Sequence, residues 1–179
     1  VREAWFVVGR RGGKSRIAAL IAVYLAVAFT LRKRALEVLA PGEVATVMVL
    51  AADRKQARQV MRFIEGLVKY VPMIAALVHD QKQESLAIGR VVIEVHSASF
   101  RSVRGYTVLG VIADECAFWR DESSANPDEE IIAAVKPAMA TIPESLLLGI
   151  SSPYSRRGVL WNAYREHYGK DSKVLVWKA

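Results

Sequence analysis

Residues 9–15 of this chain read Gly-Arg-Arg-Gly-Gly-Lys-Ser. The run lies between a short apolar stretch, Trp5-Phe6-Val7-Val8, and a long apolar segment that starts at the lysine. A glycine-rich turn ending in Gly-Lys-Ser, between strand and helix, has the chemistry of a phosphate cradle. Its backbone N–H groups converge on β- and γ-phosphates, Lys14 adds a point charge, and the Ser15 hydroxyl can ligate Mg²⁺. A helix starting here also aims the positive end of its dipole at the anion. The spacing departs from the general pattern, which places four residues between the first glycine and the Gly-Lys pair. Here only Arg10, Arg11 and Gly12 separate Gly9 from Gly13-Lys14, and Val8 stands where the first glycine is usual. A strand-to-helix turn also favours glycine for backbone freedom alone, so the loop needs a partner elsewhere in the chain.

The chain has 179 residues, 53% of them apolar, which argues for one globular domain with a real core. Its formal charge of +7 calls for an anionic partner, although bound nucleotide would offset part of it. Cys116 is the sole cysteine, so no internal disulfide can form and a reducing compartment fits. His79, His96 and His167 lack zinc-site spacing and read as surface or edge residues. The apolar run 17–29 is shorter than a membrane span and is expected to be a core helix buried on all sides. No cleavable leader pattern precedes it. The chain starts close to a core strand and stops just after an apolar run, so both ends are expected to be cut from a longer protein.

Apolar β-rich runs predict strands over 5–8, 44–50, 108–113, 146–150 and 174–177, with a hairpin of 86–88 and 91–95 around Gly89-Arg90. Helical periodicity predicts helices over 14–30, from Asp53 to about 70, from Asn126-Pro127 to about Pro137, and over 158–168. Strands alternating with helices define an α/β fold with a mostly parallel central sheet flanked by helices, whose sites lie at the carboxyl ends of strands.

Two further motifs follow predicted strands. The strand 108–113 runs into Asp114-Glu115. An acid at that place can support Mg²⁺ beside Ser15, and a glutamate next to it can orient and deprotonate an attacking water. The strand 146–150 runs into Ser151-Ser152-Pro153, whose hydroxyls can sense a γ-phosphate or its water. Each motif alone has a bland reading as a loop; their joint occurrence, in order and each after a strand, makes that reading weak. Among the arginines, Arg10 and Arg11 lie in the loop, and Arg101 and Arg104 precede the Asp-Glu strand. Arg104 is singled out as a finger acting on a neighbouring subunit. The clusters Arg54-Lys55-Arg58-Arg62 and Arg156-Arg157 are candidate DNA contacts.

These motifs together resemble the ATPase domain of the large terminase subunit of tailed bacteriophages. Gly9 to Ser15, Ile112-Ala113-Asp114-Glu115 and Ile150-Ser151-Ser152-Pro153 carry the likeness, helped by Arg104-Gly105 and Gly158-Val159-Leu160-Trp161. The short, arginine-bearing loop looks like the deviant phosphate loop of these packaging motors. The resemblance implies a RecA-like P-loop ATPase of the additional-strand, catalytic-glutamate type that uses ATP and Mg²⁺. It implies that Gly9, Arg10, Arg11, Gly12, Gly13, Lys14 and Ser15 bind phosphates, and that Ser15 and Asp114 hold Mg²⁺. Glu115, Arg10 and Arg104 would be catalytic, and Ser151, Ser152 and Pro153 would couple hydrolysis to movement. Expected partners are double-stranded DNA, a portal protein, a small terminase subunit and further copies in a ring, in the host cytoplasm and without a membrane. The family's adenine-binding segment lies upstream of the first strand and its nuclease domain downstream of the ATPase domain. Neither is in this sequence, so no DNA cleavage is expected of it. Two other readings stay open: a helicase or translocase domain, because Asp114-Glu115-Cys116-Ala117 is close to a helicase box, and a nucleotide- or DNA-binding module without turnover.

Overall fold

The computed structural model describes residues 2–98, 105–120, 124 and 126–179. The first half holds β1 (Glu3–Val7), α1 (Lys14–Leu31), a short α2 (Lys33–Leu36), β2 (Ala45–Ala51), α3 (Arg54–Tyr70) and a short α4 (Pro72–Ala75). Next come β3 (Val78–Lys82), β4 (Ser85–Ile88), β5 (Val91–Ser97) and β6 (Val108–Asp114). The chain then forms α5 (Pro127–Val135), β7 (Leu146–Ser151), α6 (Gly158–His167) and β8 (Val174–Lys178).

The strands make one eight-stranded sheet in the order β3-β4-β5-β2-β6-β7-β1-β8. From β5 to β8 every neighbouring pair is parallel, and the antiparallel β3 and β4 extend one edge. β2 and β6 are buried along their whole length. That explains their unbroken apolar sequences, since a parallel strand covered on both faces has no polar side. The decisive feature of the order is that β7 lies between β1 and β6. Val7 pairs with Ser151, and Ile150 pairs with Asp114. The ends of three strands far apart in sequence therefore stand side by side, at the ladder spacing of about 5 Å.

Helices cover both faces. On one, Ala18, Ala19, Ala22 and Ala26 of α1 pack with Val60, Met61 and Ile64 of α3 over the sheet. The alanines let α1 lie close, and Gly110 leaves room below it, where an added Cβ would stand 2.8 Å from Leu25. Asp53 caps α3, its carboxylate accepting the Gln56 N–H at 2.9 Å. On the other face, Ile131, Ile132 and Val135 of α5 and Leu160 of α6 cover Trp5, Leu50, Val111 and Leu147. Trp5 is 2% exposed and lies against Gly149, where any side chain would collide with its ring.

Three expectations need correction or extension. α1 is not buried all round: Ile17, Leu20, Tyr24 and Leu31 are 43%, 51%, 61% and 60% exposed, so its outer face is apolar and open. By length and composition α1 could cross a membrane, but its alanine face is packed against the sheet and α3. β3 escaped the sequence reading because His79, Asp80, Gln81 and Lys82 are exposed, with no apolar alternation to betray an edge strand. The helix opened by Pro127 ends at Val135, and Pro137 starts a separate 3₁₀ turn, Pro137–Met139.

Candidate active site

The loop between β1 and α1 takes its shape from its glycines. Gly13 has φ 76° and provides the left-handed turn into the helix, and Arg11 adopts φ 63° just before it. Gly12 passes over Val8, and a Cβ there would press on the valine side chain. α1 begins without a side-chain cap and without an acidic residue in its first turn. Its first N–H groups and the positive end of its dipole thus point at an open mouth of about 380 Å³, lined by the loop, Gln59 and Phe63 of α3, and Glu115. Arg10 and Arg11 are both solvent-exposed, with Arg11 on the wall of this mouth.

Lys14 is 8% exposed and points into the junction of the strand ends. Its ammonium donates to the Gly9 carbonyl at 3.1 Å and the Ser152 hydroxyl at 2.9 Å, and it pairs with Glu115 Oε1 at 3.2 Å. Glu115 Oε2 in turn accepts from the Ser151 hydroxyl at 3.0 Å and the Ser152 N–H at 3.1 Å. Ser151 also accepts the Ala117 N–H at 3.3 Å, tying β7 to the 3₁₀ turn Cys116–Phe118. Glu115 has φ 50°, a left-handed conformation costly for a side-chain-bearing residue, and four contacts hold it there. Its own N–H supplies the fourth, donating to the Ile150 carbonyl at 2.8 Å. Pro153, next in the chain, is exposed.

Asp114 is 3% exposed and faces the Ser15 side. Burial, reinforced by the neighbouring Glu115 charge, pushes its carboxyl up to about 6, against the lowering pull of Lys14, the Glu115 N–H and the Ser15 hydroxyl. Among the described residues, Oδ1 of Asp114 has no hydrogen-bond partner. A buried carboxylate oxygen left over beside a serine hydroxyl and a phosphate cradle is a donor set that fits Mg²⁺. That ion takes one or two protein oxygens and completes its shell with phosphates and water. No group of three or more His, Cys, Asp or Glu able to hold a metal occurs among the described residues.

The structure thus brings together Gly9, Gly12, Gly13, Lys14, Ser15, Asp114, Glu115, Ser151 and Ser152. Arg101 and Arg104 lie outside the described residues. Of the basic clusters, Arg54, Lys55 and Arg62 are exposed on α3, while Arg58 pairs with Glu84 at 3.1 Å. Arg156 and Arg157 are exposed at the start of α6, Arg156 with its guanidinium over the Trp161 ring.

Sequence reading missed two supports. The Trp119 indole N–H donates to the Asp114 carbonyl at 3.0 Å and fixes the end of β6. Asp128, in the first turn of α5, accepts the Val159 N–H at 2.8 Å and so caps α6 from another helix. Gly158, at φ 81°, leaves the room for it, because a Cβ there would collide with the Asp128 carboxylate. The partners are 31 residues apart, so no local pattern reveals the joint.

No family model matches the chain, and no curated protein matches it. Solved structures do share its fold, phage DNA-packaging ATPases among them. The HK97 bacteriophage large terminase aligns with a TM-score of 0.69 and 22% identity, covering 98% of this chain and 35% of that one. The large terminase ATPase domain of Thermus phage P74-26 aligns at 0.69 and 18%, covering 99% and 75%. The N-terminal domain of the DNA packaging ATPase from bacteriophage phi29 aligns at 0.60 and 15%, covering 99% and 90%. The chain has the fold of large-terminase ATPase domains over nearly its whole length, and it spans about a third of the HK97 protein.

Proposed function

We propose that this chain is the ATPase motor domain of a phage large terminase, hydrolysing ATP with Mg²⁺ to drive double-stranded DNA into a procapsid. The observation that carries the reading is β7 between β1 and β6, which sets Lys14 of the loop 3.2 Å from Glu115 and joins both to the serines of β7. An inserted strand carrying a polar end is what an additional-strand, catalytic-glutamate ATPase requires. The loop, the uncapped helix and the residual oxygen of Asp114 supply the remaining parts.

The chemistry follows from the contacts. β- and γ-phosphates entering the mouth meet the first N–H groups of α1 and draw Lys14 off Glu115 and Ser152. Glu115, released from its ammonium partner, accepts a proton from the water that attacks the γ-phosphorus. The β–γ bridging P–O bond breaks and ADP keeps the electron pair. Ser15 and Asp114 would hold Mg²⁺, which neutralises phosphate charge when bound. Arg10 adds positive charge at the γ-phosphate from the loop, and Arg104 does so from a neighbouring subunit. Ser152 touches both members of the Lys14–Glu115 pair and Ser151 touches Glu115, so together they register its opening and pass it to the loop before α6. In this reading the chain is one domain of a longer protein, working as a ring with portal and small terminase subunits.

The test is ATP hydrolysis with and without double-stranded DNA, for the native chain and Glu115→Gln. Loss of turnover with retained ATP binding in Glu115→Gln is expected. Unchanged turnover removes Glu115 from the mechanism, and ATP binding without any turnover in the native chain, at any DNA concentration, favours a binding module.

A further inference from the structure

β6 and β7 end side by side, and the chain leaves each end by a different route. After Glu115 it folds into the 3₁₀ turn Cys116–Phe118, closed by the Phe118 N–H, which donates to the Glu115 carbonyl at 2.9 Å. After Ser152 it runs through Pro153 to Arg157 without helix or strand. Residues 153–156 make no backbone-to-backbone hydrogen bond among the described residues. Tyr154 ties this segment to the β6 side by its side chain. Its ring lies against that of Phe118, with centroids 4.7 Å apart and planes at 43°. Its hydroxyl accepts from the Arg120 guanidinium at 3.0 Å. Tyr154 is 51% exposed, so these contacts add little to the core.

We propose that Tyr154 is a positioning residue for Glu115, closing a latch across the ends of β6 and β7 that keeps the glutamate in place once Lys14 has left it. The latch rests on reading Glu115 as the group that takes a proton from water. Glu115 has φ 50°, a conformation that a residue with a side chain resists, and it needs outside contacts to stay there. In the resting chain Lys14 is one of them. In the proposed ATPase, nucleotide draws Lys14 away, and the hold on the carboxylate passes to the Ser151 hydroxyl and the Ser152 N–H. These two can serve only while the end of β7 keeps its place against the turn that carries Glu115. One tie across that seam, from the Ala117 N–H to the Ser151 hydroxyl, is 3.3 Å long. Tyr154 supplies another. Pro153, between Ser152 and Tyr154, has a fixed φ, so a displacement of Tyr154 reaches Ser152 with one fewer rotation to absorb it. On the other side, Phe118 is joined to Glu115 by the hydrogen bond that closes the turn. The ring contact therefore holds Ser152 and Glu115 in register from outside the site. A shift of about 1 Å in a reacting group is enough to cost much of its effect.

Steady-state ATP hydrolysis in the presence of double-stranded DNA, with ATP titration calorimetry on the same samples, tests the latch. Tyr154→Ala is expected to lower kcat about tenfold or more, with ATP affinity within about twofold of native, because the phosphate loop is untouched. It should melt as the native chain does, since half of the side chain is in solvent. Tyr154→Phe keeps the ring and loses only an exposed hydrogen bond, so it should recover most of kcat. Phe118→Ala should match Tyr154→Ala, and the double variant should fall no further than either alone. Native kcat in Tyr154→Ala, an equal loss in Tyr154→Phe, or losses that multiply in the double variant would overturn the latch. So would a loss of ATP affinity equal to the loss of kcat, or loss of the melting transition in Tyr154→Ala, either of which makes Tyr154 a structural residue. Native chain that binds ATP without hydrolysing it would overturn the ATPase reading and the latch with it. Native turnover with an indifferent Tyr154→Ala sinks the latch alone.

Discussion

On the β7 side of the site the charged and hydroxyl groups are paired with one another. Glu115 takes Lys14, the Ser151 hydroxyl and the Ser152 N–H, and Lys14 also holds Gly9 and Ser152. On the Ser15 side, one residue away, Asp114 is more deeply buried and keeps an oxygen without a partner. The difference teaches what each side does when ligand arrives. In the proposed ATPase, nucleotide must open the closed side, so that its binding is an exchange of contacts passed into β7. In the same reading the open side only gains, because a cation relieves a buried charge that Lys14, the Glu115 N–H and the Ser15 hydroxyl offset only in part.

The largest expected effect breaks the closed side. Lys14→Ala removes the cation that Glu115 holds and that phosphate would use in the proposed ATPase, and turnover should fall by about 10²–10³ or more, measured as phosphate release at saturating ATP. The open side should respond in the opposite direction in stability. Asp114 has a folded pKa raised to about 6, so the folded chain binds its proton more readily than the unfolded chain does. Its penalty is full above pH 6, fades as pH falls from 6 toward 4, and is gone below the unfolded value. Asp114→Asn in Mg²⁺-free buffer should therefore stabilise the chain by up to about 3 kcal/mol at pH 7.5, with the gain vanishing near pH 4 in thermal melts, while hydrolysis is lost. A native-like melting curve for the variant at pH 7.5 would deny that the two sides differ.

Smaller effects sharpen the contrast. Gly158→Ala puts a Cβ into the Asp128 carboxylate at a left-handed residue, and should cost about 1–3 kcal/mol in denaturant unfolding. That loss tests whether the helix after the serines is held by α5. Ser152→Ala should cost about 1 kcal/mol, because Lys14 keeps its other two partners.

The contrast also marks what could be read from sequence. The loop 9–15, Asp114-Glu115 and Ser151-Ser152 were legible because local chemistry defines them: glycines at a turn, and acids and hydroxyls at the ends of apolar strands. The parallel core was legible from unbroken apolar runs such as 108–113. The pairing of Lys14 with Glu115 was not, since it depends on β7 lying between two strands. β3 was hidden by its exposed polar residues, and the Asp128 joint by the distance between its partners. The open outer face of α1 was misread because a run of apolar residues looks the same whether its far side is covered by protein or left exposed.

The resting pair of Lys14 and Glu115 can be tested directly by measuring ATP affinity for the native chain and Glu115→Gln by titration calorimetry. Under the proposed function, phosphate competes in the native chain with Glu115 for the lysine. Glutamine cannot compete as a charge, so Glu115→Gln should bind ATP about fivefold or more tightly, while turnover disappears. Equal or weaker ATP binding by Glu115→Gln would contradict the closed pair as the state that nucleotide must open.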